Sequence, residues 1–348
     1  MTEIRVNWQA LKAFTKEVFI RVGMSSEDAE IEADVLVWAN LRGVDSHGVL
    51  RIPSYVASVE AGGMNPKPEI RFEKETPAVA LIEADHAFGP VVTTLAMRCM
   101  IEKAREVGIG WALLRNTTHQ GAMAYYALMA AEQGMAGLAF VCSPPNMAPY
   151  GSKAAGLHNS PLAIAVPATA HPPLVLDFAT SVAAGGKVQL AVDKGVSLPE
   201  GWALDANGEP TTDARLARIL LPFGGYKASG LAMMFECLAS LMAGNPLAEP
   251  KLFNLDPPHR GTQNSVVAAI NIGLFTDLDE YKGHVDKLME GIKALPKADG
   301  FEEILVPGEI ENRVREERLR DGIPLPEGTV HNLRGVAAKL GVALPPGL

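Results

Sequence analysis

The sequence predicts an α/β protein with a mixed sheet, set between helical N- and C-terminal regions. Three observations predict it. From Ala78 to Ile272, short apolar runs alternate with stretches of helical periodicity, the pattern of strands buried beneath helices. The alternation is imperfect, since two apolar runs at 162–166 and 174–178 follow one another across a Pro-rich turn, so a mixed sheet is expected rather than a regular doubly wound one. Before Ala61 and after Gly308 the periodicity is helical.

Each element has its own signals. Asn7 caps a helix whose core face is Leu11, Phe14, Val18 and Val22, with Gly23 as the stop. Ser25 and Asp28 form a capping box that opens a second helix through about Asn40. A third starts near Val49, with Pro53 tolerated only close to its beginning. Ala61-Gly-Gly-Met-Asn-Pro-Lys-Pro is punctuation. It separates a helical region, 1–75, from an α/β region, 76–300, and residues 301–348 are expected to pack back on the first. Within the α/β region, 79–82, 109–114, 137–142 and 265–272 read as strands. Residues 89–107 and 120–133 read as helices, the latter closed by Gly134. Asn207-Gly208 marks a hairpin turn. The 231–242 segment is apolar nearly all round, which predicts a helix buried on several sides. Asp277 caps a helix bearing Tyr281, Val285, Leu288 and Ile292, and 309–321 and 329–340 are the last two helices.

Composition narrows the function. The chain has 348 residues and a net charge of −9, which argues against nucleic acid or an anionic membrane as partner but leaves room for a local anion pocket. No basic start precedes an apolar run, and the greasiest segment, 231–243, is too short to span a bilayer and contains Glu236. Cys99, Cys142 and Cys237 are distant and odd in number, which fits reduced thiols in a cytoplasm. The chain lacks Gly-x-Gly-x-x-Gly, a phosphate-cradling Gly-Lys-Ser/Thr loop and a Gly-x-Ser-x-Gly elbow. It also lacks His-x-His, His-Glu-x-x-His and Cys-x-x-Cys, so no metal site is expected.

The densest polar chemistry lies in Leu-Arg-Gly-Val-Asp-Ser-His-Gly-Val-Leu-Arg-Ile-Pro-Ser-Tyr, 41–55. His47 in a glycine-flanked bend, with Arg51 and Tyr55 at four-residue steps, suits protonation of one end of a small acid and capture of its carboxylate. The alternative is an ordinary turn in which Asp45 or Ser46 caps the next helix. His119 follows a strand at the expected start of the 120–133 helix, where free N–H groups attract an anion. Further polar clusters are the rigid loop from Cys142 to Gly151, His158-Asn-Ser-Pro, Asp177-Phe-Ala-Thr-Ser with Gly185-Gly-Lys187, and Gly224-Gly-Tyr-Lys-Ala-Ser-Gly. Lys227 in the last suits a pyrophosphate or is a plain surface charge.

Taken in order, Asp-Ser-His-Gly-Val-Leu-Arg, Asn-Thr-Thr-His-Gln-Gly, Asn-Ser-Pro-Leu-Ala-Ile-Ala-Val-Pro, Leu-Asp-Phe-Ala-Thr-Ser, Gly-Tyr-Lys-Ala-Ser-Gly and Val-Pro-Gly-Glu resemble the malate/L-lactate dehydrogenase-like family over almost the whole chain. That group includes ureidoglycolate and sulfolactate dehydrogenases, diketogulonate reductase and piperideine-carboxylate reductases. The resemblance implies a non-Rossmann, sulfolactate-dehydrogenase-like dinucleotide-binding fold, a homodimer, and NAD or NADP as cofactor, with NAD favoured. It implies His47 or His119 as the proton-transfer group, Ser46 as orienting hydroxyl, and Arg51 with Tyr55 at the substrate carboxylate. It also implies Ser143, Asp177, Phe178, Ala179, Lys227, Gly308 and Glu309 at the cofactor. The expected activity is hydride transfer between a nicotinamide and a small 2-hydroxy or 2-oxo acid. Two departures stand out. Where the family commonly reads Gly-Thr-Asn-Pro, this chain has His158-Asn159-Ser160-Pro161, so Asn159 replaces a substrate-holding threonine. Lys187 stands where the cyclic-imine reductases carry an aspartate, and a cation there opposes an imidazolium, which favours the hydroxy-acid branch. The alternatives are an imine-carboxylate reductase, a non-catalytic small-acid binder, and a hydrolase using Ser46.

Overall fold

A computed structural model describes residues 4–259 and 261–348. Its centre is a seven-stranded sheet in the order Arg71–Glu75, Val79–Glu83, Ile109–Thr117, Gln263–Asn271, Met135–Cys142, Leu162–Val166, Leu174–Phe178. Only Val79–Glu83 and Ile109–Thr117 pair in parallel; the other five neighbour pairs are antiparallel. A parallel pair needs a long crossover, and the Gly89–Val107 helix supplies it. The sheet is therefore mixed, as the imperfect alternation predicts.

Glycine sets how closely helices approach this sheet. A Cβ on Gly110 would meet the Met100 carbonyl oxygen at 2.2 Å, and one on Gly137 would meet that of Ala127 at 2.1 Å. Those absences let the Gly89–Val107 and Ala124–Ala131 helices lie directly on one face, over a core that includes Ile82, Met97, Leu114 and Tyr126. The opposite face is covered by the Tyr226–Phe235 helix, with the Phe140 and Phe235 rings stacked at 4.4 Å.

The chain ends meet. Ile4–Val6 pairs antiparallel with Ile323–Leu325, and the helices Trp8–Arg21, Ser26–Leu41, Ile52–Glu60 and Glu327–Leu340 share a second core around Phe19, Leu36, Ile52 and Leu333. The Asn7, Ser25 and Asp277 caps accept from Ala10, Asp28 and Glu280 backbone N–H groups as their spacing predicts.

The expectations fail in identifiable places. Ile4–Val6 and Ile323–Leu325 are too short to show alternation, and Arg71–Glu75 is exposed throughout, so no apolar signal marks it. The 120–133 helix starts only at Ala124, because Gly121 takes φ +69° and ends any earlier helix. The 231–242 helix is not buried on several sides. Small residues Ala228, Ala232 and Ala239 press one face inward, while Met233, Met234, Leu241 and Met242 stay half or more exposed, at 50–57%. Its second half, Glu236–Leu241, widens into a π-helix.

Candidate active site

The site begins where the Ser26–Leu41 helix stops. Gly43 at φ +76° reverses the chain into two 3₁₀ turns, Asp45–His47 and Val49–Arg51, before the Ile52–Glu60 helix begins with Pro53 in its first turn. Gly48 is required sterically, since a Cβ there would sit 2.2 Å from Asn40 Oδ1. That oxygen accepts from Val49 N at 2.8 Å while Asn40 Nδ2 donates to Asp45 Oδ1 at 2.6 Å. Arg318, from the Glu309–Asp321 helix, clamps the other side of Asp45 with Nη1 and Nη2 at 2.6 and 3.0 Å. Asp45 and Ser46 therefore do not cap the following helix. Asp45 is fixed by Asn40 and Arg318, and Ser46 Oγ lies 2.9 Å from His47 Nδ1.

Arg51 Nε donates to the Ser46 carbonyl at 2.7 Å, so the guanidinium is tied to the turn that carries His47. Among the described residues no carboxylate pairs with it, which leaves its charge for an external anion. Tyr55, one turn further on, lies with its hydroxyl 2.5 Å from His119 Nδ1. The His47 and His119 rings stack with centroids 5.3 Å apart. His47, Arg51, Tyr55 and His119 thus converge, though the last is 64 residues from Tyr55.

Burial sets the protonation states. It pushes His47 down to about 4, with the Arg51 cation adding to the effect. Burial, then Arg51 and His47, hold His119 well below the ordinary imidazole value. The origin for His119 differs from the expected one: burial and the Arg51 and His47 charges lower it, and the helix expected to start at residue 120 begins only at Ala124. Tyr55 is pushed far up by burial and stays a phenol. Glu32, fully buried in the Ser26–Leu41 helix without a hydrogen-bond partner, is pushed up likewise and stays neutral.

One further candidate segment lies beside this turn, and the others lie along the edge of the sheet and its loops. A Cβ on Gly186 would lie 2.7 Å from Ser46 Cβ, so the first turn of the Gly185–Lys194 helix, which carries exposed Lys187, abuts the Ser46–His47 bend. Asp177 and Phe178 end the edge strand, with Ala179 next. Asp177 Oδ2 accepts from Ala124 N at 2.8 Å. The Asp177 residue keeps exposed surface, but the protein packed around its carboxyl desolvates it and pushes it up to about 6. Phe178 packs edge-on against Phe223 at 5.5 Å, and Phe223 N donates to Thr180 O. Gly224 and Gly225 follow at φ +54° and +62° and lead into Lys227 in the first turn of the Tyr226–Phe235 helix.

Gly308, at φ +84°, sits on the same edge strand, where a Cβ would meet Val175 Cγ1 at 2.5 Å. Glu309 is already engaged. It pairs with Lys293 and Arg313 and accepts from Val306 N at 3.2 Å, so it holds the turn. Ser143 opens a loop whose Asn146 exchanges two hydrogen bonds with Asn159, at 3.0 and 2.9 Å. The Asn159 carbonyl accepts from Thr180 N at 2.8 Å, which ties that loop to the Asp177 strand. Sequence reasoning missed Asn40 and Arg318. No local signal marks either, since Arg318 and Asp45 are 273 residues apart.

With this geometry in hand, the likenesses to known proteins fall into place. Residues 6–334 match the malate/L-lactate dehydrogenase family. The chain is 39% identical to L-sulfolactate dehydrogenase of Methanocaldococcus jannaschii, covering 94% of each chain. It is 31% identical to ureidoglycolate dehydrogenase (NAD(+)) of Escherichia coli, covering 92% of this chain and 93% of that one. The solved structure of malate dehydrogenase from Pyrococcus horikoshii superposes with a TM-score of 0.88 at 35% identity, covering 98% of this chain and 97% of the other. The convergent turn, the mixed sheet and these likenesses agree: the chain belongs to the malate/L-lactate dehydrogenase family.

Proposed function

We propose that the protein is a nicotinamide-dependent dehydrogenase that interconverts a small 2-hydroxy acid and its 2-oxo acid. The observation that carries this is the pairing of an uncompensated Arg51 with two neutral imidazoles, His47 in the same bend and His119 stacked against it. Arg51 offers its planar fork to the substrate carboxylate. In oxidation, His47 takes the proton of the C2 hydroxyl; in reduction, it returns it. Ser46 orients His47 through Nδ1, and Tyr55 orients His119, which grips the substrate oxygen. A bound nicotinamide supplies the two-electron chemistry by taking or giving a hydride at C2.

The donor set fits a dinucleotide. Two consecutive left-handed glycines open toward the N–H groups of a helix first turn, with nothing within 4 Å of where a Gly224 Cβ would stand. Lys227 there carries the charge a pyrophosphate needs. Asp177 and Phe178 end the adjoining edge strand, Ala179 follows it and the Gly308 turn packs on it; with Ser143 these are the residues we assign to the rest of the dinucleotide. Asn159 shapes the pocket through Asn146. The cofactor is NAD or NADP, with NAD favoured because the ureidoglycolate relative is named for NAD(+).

The active form is a cytoplasmic homodimer. Tyr226, Met233, Met234, Leu241 and Met242 expose an apolar face on one helix, the kind of surface a second copy covers. A panel of 2-oxo acids assayed with NADH and NADPH tests the reaction, and absence of turnover with every pair would refute it. Sedimentation showing a monomer that still binds NADH tightly would refute the assembly.

A further inference from the structure

We propose that Cys142, His158 and Glu236 form a buried site for one divalent cation of the zinc type, separate from the dehydrogenase site. The three residues come from three elements: the end of the Met135–Cys142 strand, the loop before Leu162–Val166, and the start of the Glu236–Leu241 π-helix. Their relative exposures are 0%, 0% and 5%, and one donor atom from each lies within 4.8 Å of the others.

The local order resembles that around a ligated metal. His158 Nε2 faces Glu236 Oε2 at 3.2 Å, while Nδ1 is held by Ser160 Oγ, the outer partner a metal-bound imidazole needs to fix its tautomer. Glu236 Oε1 accepts from Leu247 N and Ala248 N at 2.8 and 2.9 Å, which freezes the carboxylate with Oε2 turned inward. Ser240 is fully buried and its hydroxyl lies within hydrogen-bonding reach of Cys142 and Glu236, which places its oxygen to serve as fourth ligand to a cation at the centre of the trio.

Charge and size agree. A thiolate and a carboxylate with a divalent cation leave the buried site neutral, and a thiolate–imidazole–carboxylate set selects zinc over magnesium or calcium. Zinc bonds of about 2.0–2.3 Å put tetrahedral ligands about 3.5 Å apart, so the histidine–glutamate pair is already spaced for it and the thiol swings in. On binding, the Cys142 thiol proton leaves to solvent and the sulfur–metal bond takes its place. The departure at 158–161 supplies the imidazole, and the site staples the Ser143 loop and Asn159 to the helix that carries Lys227.

The test is metal content and spectroscopy, not activity. Protein produced in zinc-supplemented medium and desalted is expected to retain about one zinc per chain by mass spectrometry, and to lose several degrees of melting temperature on chelation. Cobalt-exchanged protein is expected to show a near-ultraviolet thiolate-to-cobalt charge-transfer band, kept in Cys99→Ser and lost in Cys142→Ser. Wild-type protein that takes up neither zinc nor cobalt would overturn the proposal, whatever the variants do. So would a band that survives in folded Cys142→Ser. Either result leaves the trio a hydrogen-bonded cluster.

Discussion

The two histidines of the active site are separable, and the hydrogen bonds around His119 say how. Gly121 N–H points at His119 Nδ1 across 3.3 Å, and an amide can only donate. Nδ1 therefore carries no proton, and the Tyr55 phenol, held protonated by burial, donates to the same atom. The ring proton sits on Nε2. Protonating Nδ1 would set two N–H groups against each other and strip Tyr55 of its acceptor. In the proposed mechanism His119 is thus a neutral donor to the substrate oxygen, while His47, whose Nδ1 meets only a rotatable hydroxyl, is the group that exchanges the proton. His119→Ala removes one neutral hydrogen bond, worth about 1–1.5 kcal/mol, which is roughly tenfold in rate. His47→Ala removes general acid–base catalysis, worth about 10²–10⁴-fold. Initial rates in both directions at saturating cofactor should show that contrast, with NADH binding intact in both variants and the overall equilibrium constant unchanged. A dead His119→Ala beside a His47→Ala enzyme within tenfold of wild type would refute the reasoning and reverse the roles.

Four further outcomes follow from the same geometry. Arg51→Lys should raise KM and lower kcat/KM by about tenfold or more, since an ammonium cannot reproduce the fork, while cofactor affinity stays put; wild-type kinetics would sink the assignment. With His47 down at about 4, kcat/KM for hydroxy-acid oxidation should hold level from neutral pH to near that value, and an inflection at the ordinary 6.5 would contradict it. The same shift is a stability statement. A depressed histidine stabilises fully above its unfolded value and loses this as pH falls through the folded one, so acid titration from 6.5 to about 4 should cost about 3 kcal/mol in denaturant melts of wild type relative to His47→Gln. Gly48→Ala places a Cβ on Asn40 Oδ1, breaks the Asn40 bridge and should cost about 1–3 kcal/mol with a loss of activity; an unchanged melting temperature would show that the turn relaxes freely.

How much of this was legible in the sequence depended on range. Caps at Asn7, Ser25 and Asp277, the Asn207-Gly208 hairpin and the buried strands are local events, written within a few residues and found where expected. The turn at 43–55 could be read as chemically dense, but not as held by Arg318, whose contact with Asp45 closes 273 residues of chain. His119 was visible as a candidate while its environment was misjudged, because Gly121 delays the helix that was to act on it. The 231–242 segment shows the limit of composition. An apolar circumference does not distinguish a helix buried in its own chain from one that leaves an apolar face exposed, and Met233, Met234, Leu241 and Met242 make this helix the second kind. Cys142, His158 and Glu236 have no metal-type spacing, and only folding puts their donor atoms together.

Arg51 links binding to chemistry. Its cation is one reason that His47 and His119 resist protonation, so the free site holds two neutral imidazoles and no charged acid. A 2-oxo acid needs an acid. Its carboxylate, once paired with Arg51, cancels the charge that depressed His47, and the substrate so raises the proton affinity of the group that must protonate it. Burial remains, so the recovery is partial, and the largest gain lies at mildly acidic pH. Calorimetric titration of the reduced-cofactor complex with a 2-oxo acid at about pH 5, in two buffers of different ionisation enthalpy, should therefore report net proton uptake. His47→Ala should abolish that uptake while Arg51 still binds the acid. Binding without any proton uptake in wild type would show that the carboxylate does not reach Arg51 or that His47 does not sense it, and the proposed division of labour within the turn would fail at its first step.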